Sequence, residues 1–265
     1  MNMTGVKWNG WNAIQCNNGD CELIVGTSAG PRILSLRYRN GENLLYEDKT
    51  DFRVGEWRIY GGHRFTTAPE NEESYYPDNA PCDVLTDASA VQITAPRRPN
   101  GTRLSLRITK ATDGEGFDLE HVLEYQGKSS WTGALWAITC VPRSAAMLAA
   151  CTTSSIHFWP DTDPRNWEVI NDQMTVRPGD FRAKTGWYID HAELTSAQPS
   201  GTLIIKTTST ALPAEYVDNG SNVEVFVCAD FAELETLSEK LHILPGASAQ
   251  HRQQWRLFPP ADGIK

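Results

Sequence analysis

The chain has 265 residues, 40% of them hydrophobic and 22% charged, ordinary globular proportions that exclude a disordered segment or a coiled coil. Its 24 Lys and Arg against 33 Asp and Glu leave a net charge of −9, which repels phosphate backbones and argues against nucleic acid as a partner. No apolar run approaches the ~18 residues of a membrane span, and Met1-Asn2-Met3-Thr4-Gly5 shows neither a basic nor an apolar leader, so no membrane association and a cytoplasmic location are expected.

Taken in chain order, short alternating or apolar runs recur at residues 22–26, 32–38, 102–108, 117–125, 202–206 and 222–227. Period-2 alternation marks half-buried strands, and the turn pairs Asn40-Gly41, Asn100-Gly101, Asp113-Gly114 and Asn219-Gly220 punctuate them. Helical periodicity is scarce: residues 145–150 are too few for an independent helix, and residues 231–241 carry mixed signals. The pattern predicts an all-β fold, a large antiparallel β-sandwich of about fifteen strands. No Pro/Ser-rich linker divides the chain, so residues 1–265 are expected to form a single domain. Two long polar loops, residues 66–83 and 158–182, are the expected carriers of binding chemistry.

Three features could carry that chemistry. Tyr60-Gly61-Gly62-His63-Arg64 joins paired glycines to an imidazole and a guanidinium, with Glu70 six residues beyond Arg64. The same string also reads as a bulge whose His and Arg are tied down structurally. Tyr75-Tyr76-Pro77-Asp78-Asn79 offers aromatic faces for sugar C–H surfaces and acceptors for hydroxyls, or else a proline-fixed turn. Glu233-Leu234-Glu235, if extended, places both carboxylates on one face with Leu234 in the core; two solvated surface glutamates would look the same. Lys184 and Lys206 lie in strand-like settings, where an inward ammonium would need an acidic partner.

Cofactor chemistry finds little support. The six cysteines contain no C-x-x-C, the histidines show no metal-ligand spacing, and neither a P-loop nor a G-x-G-x-x-G occurs. Glu70, Asp78 and Glu235 have oxygen-ligand chemistry suited to Ca²⁺, but no metal or other cofactor is expected. The cysteines read as reduced thiols of a cytosolic protein.

Four stretches together resemble the galactose mutarotase-like (aldose 1-epimerase-like) superfamily, a family of large β-sandwiches. They are Gly30-Pro31-Arg32-Ile33-Leu34-Ser35-Leu36 with Asn43-Leu44-Leu45-Tyr46, the Tyr60 to Glu70 segment, Phe117-Asp118-Leu119-Glu120 through Trp131, and Glu233-Leu234-Glu235-Thr236-Leu237 followed by Leu244-Pro245-Gly246 and Trp255-Arg256-Leu257. The resemblance spans about residues 22–258 and implies Glu235 as the catalytic base. Members carry a catalytic histidine in an Asn-His-x-Tyr-Phe type motif, whereas the corresponding stretch here, Leu135-Trp136-Ala137-Ile138-Thr139-Cys140-Val141-Pro142, has none. His63 is then the available acid, with Arg64, Glu70, Tyr76, Asp78, Trp136 and Lys184 orienting the sugar. The implied activity is a sugar epimerase that opens the ring at the anomeric carbon. The alternatives are a non-catalytic carbohydrate-binding protein, or a lyase on an acidic sugar in which Arg64 neutralises the uronate carboxylate. The expected partner is a sugar or sugar derivative, and the protein is expected to be a monomer or homodimer.

Overall fold

The computed structural model describes residues 1–151 and 156–260, and within them the alternating runs form twenty-three strands. The first twelve are β1 Asn2–Trp8, β2 Trp11–Asn18, β3 Cys21–Gly26, β4 Arg32–Tyr38, β5 Arg53–Val54, β6 Trp57–Arg58, β7 His63–Ala68, β8 Asp83–Thr86, β9 Ala90–Thr94, β10 Thr102–Lys110, β11 Gly116–Tyr125 and β12 Trp131–Pro142. The others are β13 Ala146–Ala150, β14 His157–Phe158, β15 Trp167–Ile170, β16 Gln173–Val176, β17 Ala183–Trp187, β18 His191–Gln198, β19 Gly201–Thr208, β20 Val223–Val227, β21 Phe231–Leu237, β22 Leu241–Ile243 and β23 Ser248–Phe258. The expected fifteen strands fall short because the segment at 145–150 is strand β13, the mixed segment at 231–241 is β21 with the start of β22, and the second long loop contains β15 and β16.

Eleven strands form one antiparallel sheet in the order β1-β2-β3-β4-β7-β12-β21-β20-β17-β14, with β22 paired to β12. Ten form a second sheet, β15-β16-β13-β18-β19-β23-β11-β10-β9-β8, and β5 and β6 make a small hairpin. Side chains from both large sheets meet in one core: Leu23, Ile33, Leu36, Val225 and Leu234 of the first pack with Ile93, Leu106, Phe117, Leu203 and Trp255 of the second. The chain is therefore an antiparallel β-sandwich.

Strand β12 is buried along nearly its whole length because both of its faces are covered. Leu135 and Val141 point to the inter-sheet core, while Ala134, Trp136, Ile138 and Cys140 point outward, under Tyr46, Tyr188, Tyr216 and Val217. The paired glycines serve this covering. Gly62 has φ +70°, and a Cβ there would sit 2.0 Å from the Ile33 carbonyl oxygen; its own N–H donates to Tyr46 O at 2.7 Å. What the glycine pair lets approach is therefore the protein's own backbone.

A polar network lies in the middle of the sandwich. His121 Nδ1 faces the His251 carbonyl at 3.1 Å; a carbonyl only accepts, so Nδ1 carries the proton and Nε2 accepts. His63 Nε2, 2.8 Å away, must then donate, which leaves His63 Nδ1 to accept from Thr139 Oγ1 at 2.9 Å. Gln253 donates to Thr236 Oγ1, whose proton goes to His251 Nε2 at 2.7 Å. His63 and His121 are thus satisfied on both ring nitrogens in the neutral form, and His251 accepts on Nε2 as a neutral ring does. Burial lowers His121 to about 3 and His251 to about 4, and His63 well below the ordinary imidazole value. The native state consequently binds fewer protons than the unfolded chain below about pH 6.5, and this part of the stability is lost as the pH falls. The stability cost of His121→Phe, read from urea unfolding, should therefore shrink by up to roughly 3 kcal/mol between pH 6.5 and pH 4. A cost that does not change with pH would show that the ring titrates in the fold as it does in the unfolded chain.

Candidate functional site on the outer face of the eleven-stranded sheet

Strand pairing lays one lateral row of side chains across the outer face. Arg32 pairs with Arg64, Arg64 with Ile138, Ile138 with Glu235, Glu235 with Glu224, and Glu224 with Gly186. Neighbouring strands lie about 4.8 Å apart, so the row runs from a basic end to an acidic end within a few strand widths.

Glu224 and Glu235 have no exposed surface and stand directly opposite each other, an arrangement that repels unless a cation joins them. Lys184 supplies it. Its Nζ lies 2.6 Å from Glu224 Oε2 and 3.0 Å from Glu235 Oε2, with 13% of its side chain exposed. The ammonium also sits 4.6 Å from the Trp136 ring centre and 5.2 Å from that of Trp159. Trp136 Nε1 donates to the same Glu235 oxygen at 2.8 Å, which leaves Glu235 Oε1 without a partner. Trp159 is held in place because its N–H donates to Lys184 O, while Thr162 exchanges two hydrogen bonds with the Lys184 backbone.

Charge and burial shift the groups around this centre. The Glu224 carboxyl is pushed well up by burial, against the pull of Lys184, and Lys184 is raised by its two carboxylates despite burial. Glu233, two residues before Glu235 on the same face, is pushed up to about 7 by burial and by Glu235, with Arg64 opposing. The Cys140 thiol lies 3.7 Å from Glu233 Oε1 and is held protonated by burial. Asp218, at the tight turn closed by Ser221 N–H on Asp218 O, is raised by burial and by Glu235 and Glu70.

Not every residue singled out from the sequence joins this face. His63 does not: it is one position away from Arg64, so its ring enters the inter-sheet core against His121 and Trp255, on the opposite side of the sheet from Glu235. Asp78 is tied to Arg32 at 2.7 Å. Glu70 is exposed and accepts from the Tyr75 hydroxyl, and Tyr76 lies under the Arg98 guanidinium. Glu70, Asp78 and Glu235 therefore do not converge, and among the described residues no three His, Cys, Asp or Glu are arranged to hold a metal. Arg64 is buried, stacked on Trp57 at 4.8 Å, and donates to Ser74 O. Trp136, Lys184 and Glu235 do come together.

Glu224, Asp218 and Trp159 complete the centre and were not singled out as site residues from the sequence. A signal for Glu224 exists: Val223, Val225 and Val227 alternate inward, which sends Glu224 to the face that Glu235 occupies. Elsewhere, Gly26-Thr27-Ser28-Ala29-Gly30 spells a G-x-S-x-G string, but it joins two strands and Ser28 Oγ accepts from Asn12 N–H. An open groove of about 570 Å³ on the outer face of the ten-stranded sheet is lined by Arg107, Asp118, Glu120 and Arg252, charges already engaged in ion pairs.

Lys184→Met strands two buried carboxylates and should cost about 3–5 kcal/mol near pH 8. The raised pKa of Glu224 means that the native state gains a proton there as the pH falls, so the deficit should shrink at pH 5. Gly186→Ala places a Cβ 2.9 Å from Ser221 Oγ and 3.0 Å from Glu224 Cγ, and should cost about 1–3 kcal/mol. Urea midpoints read both; a harmless Gly186→Ala would show that Glu224 is free to move.

No known family model and no curated protein matches the chain. Solved structures do. A galactose mutarotase related enzyme from Lactobacillus acidophilus superimposes with a TM-score of 0.65 at 7% identity, over 96% of this chain and 99% of that one. A galactose mutarotase-like protein from Clostridium acetobutylicum gives 0.61 at 11% identity, over 97% and 98%. A TPR-domain containing protein from Parabacteroides distasonis gives 0.69 at 14% identity, over 96% of this chain but 49% of its own, so the chain spans about half of that protein's length. The sandwich is that of the galactose mutarotase-like fold.

Proposed function

We propose that this protein is a carbohydrate-active isomerase that interconverts sugar anomers, with Glu235 and Glu233 as the acid–base pair. The observation that carries the reading is the partnerless Glu235 Oε1, an acceptor fixed in place by Trp136 and Lys184 on its other oxygen. Glu233 lies two strand positions away, about 6.5 Å along the chain, and retains a proton near neutrality. In this scheme Glu235 takes the anomeric hydroxyl proton while Glu233 protonates the ring oxygen. The bond from C1 to the ring oxygen breaks, the open-chain aldehyde turns about C1–C2, and the reverse transfers close the ring. Trp159, half-buried beside Lys184, offers an aromatic face for the sugar's C–H surface. The neighbouring mutarotase-like structures support the choice of a sugar, at the level of fold.

Binding without turnover is the second reading. It is favoured by the absence of exposed surface on Glu235 and Glu224, since approach to either runs past the Lys184 ammonium.

Polarimetry or exchange NMR on pure anomers separates the two. Catalysis predicts accelerated equilibration, a loss of about 10²–10⁴-fold in Glu235→Gln or Glu233→Gln, and a fall in rate above about pH 7 as Glu233 loses its proton. Folded His63→Gln should keep its rate within a few-fold, because His63 lies on the other face. No acceleration across hexoses and uronates, with sugar affinity surviving Glu235→Gln, would leave the binding reading.

A further inference from the structure

Buried polar atoms without partners lie along one row of the outer face. Glu235 Oε1, Glu224 Oε1 and Ser221 Oγ are buried and unpartnered. A Cβ on Gly186 would press on both Ser221 Oγ and Glu224 Cγ, so the hydroxyl and the Glu224 side chain pack side by side over Gly186, and Glu235 stands across the strand pair from Glu224. Asp218 lies near enough to feel the charges of both Lys184 and Glu235. Lys184 engages one oxygen of each glutamate, leaving one cation against three carboxyl groups. Buried acceptors in this state call for a ligand rich in donors and positive in charge.

An ammonium group has three N–H donors and no acceptor, whereas a hydroxyl brings acceptor lone pairs with its single donor. Directly opposed residues on paired strands hold their side chains about 5 Å apart, a separation suited to substituents on adjacent sugar carbons. The geometry points to a 2-amino sugar as the ligand. Its anomeric hydroxyl on C1 meets Glu235 Oε1, and its C2 ammonium meets Glu224 Oε1 and Ser221 Oγ. This inference rests on the reading of the face as a sugar site and adds the class of sugar. Lys184, the outward member of the trio, has a flexible four-carbon stem and is the group whose swing admits the ligand.

The test compares glucosamine, N-acetylglucosamine and glucose on the intact protein, with affinity from calorimetry and anomer exchange from NMR. N-acetylation removes the charge and keeps the ring. The expected result is binding of glucosamine about 10–100-fold tighter than of either other sugar, the size of one charge-assisted hydrogen bond, and a loss of most of that preference in Glu224→Gln. The comparison on the unaltered protein stands even if the variant does not fold. Equal affinity for glucosamine and glucose, or preference for the N-acetyl sugar, overturns the amino-sugar inference; if anomers are still exchanged, the acid–base reading survives. Preference for glucosamine without acceleration of any sugar keeps the inference and removes catalysis. Failure of all three sugars to bind overturns both.

Discussion

A single ammonium group decides whether the centre of the eleven-stranded sheet can close. Strands β20 and β21 pair so that Glu224 and Glu235 face each other without exposed surface, and Lys184 from β17 reaches both. Two carboxylates at this spacing in a low dielectric repel strongly enough to oppose the strand register itself. The lysine therefore ties three strands through one charge. The Trp136 and Trp159 rings beside it and the Trp136 donor on Glu235 set where that charge sits. Gly186 follows from the same constraint, because the Glu224 side chain occupies the space that a side chain at 186 would fill.

The two faces of that sheet respond to protons in opposite senses. On the inner face the imidazoles of His63, His121 and His251 are kept neutral by burial and by a hydrogen-bond pattern with no spare acceptor, so acid works against them. On the outer face the carboxyls of Glu224, Glu233 and Asp218 are raised by burial, so the native state takes up protons there more readily than the unfolded chain. Their contribution to stability grows as the pH falls through neutrality. The pH response of the whole molecule is thus a difference between two buried clusters on opposite sides of one sheet, and single-residue variants separate them where a bulk titration cannot.

Much of this was legible in the residues, and most of the misses come from strand pairing. Alternation at residues 222–227 and in Glu233-Leu234-Glu235 is enough to place strands and to send both glutamates of the latter to one face. What alternation cannot supply is the absolute face of an isolated run. Between His63 and Arg64 the chain offers no apolar marker inside the dipeptide, and only pairing with β12, where Thr139 opposes His63 and Ile138 opposes Arg64, decides which side chain turns inward. A one-residue difference moves His63 from the site to the core. Glu224 was hidden for a related reason: it becomes significant only when β20 is known to lie beside β21, a pairing across the turn at residues 228–230 that brings two ordinary-looking glutamates into register. Asp78 and Glu70 mark the limit in another way, since a polar loop residue can bond its own scaffold, as Asp78 does to Arg32, without any change in the sequence pattern.

The missing histidine bears on how the proton work can be divided. Strand β12 presents only Trp136, Ile138 and Cys140 along the central part of the outer face. The Trp136 N–H is committed to Glu235, Ile138 has no polar group, and the Cys140 thiol is held far from ionisation by burial. None of the three can give and recover a proton near neutral pH. The neighbouring strand β21 places Glu233 and Glu235 two residues apart on the same face, and the proposed acid–base pair is drawn from it. Their environments differ: one carboxyl sits beneath Lys184 and Trp136, the other beside Arg64 and Cys140. The proposed acid–base reading draws on that difference in surroundings.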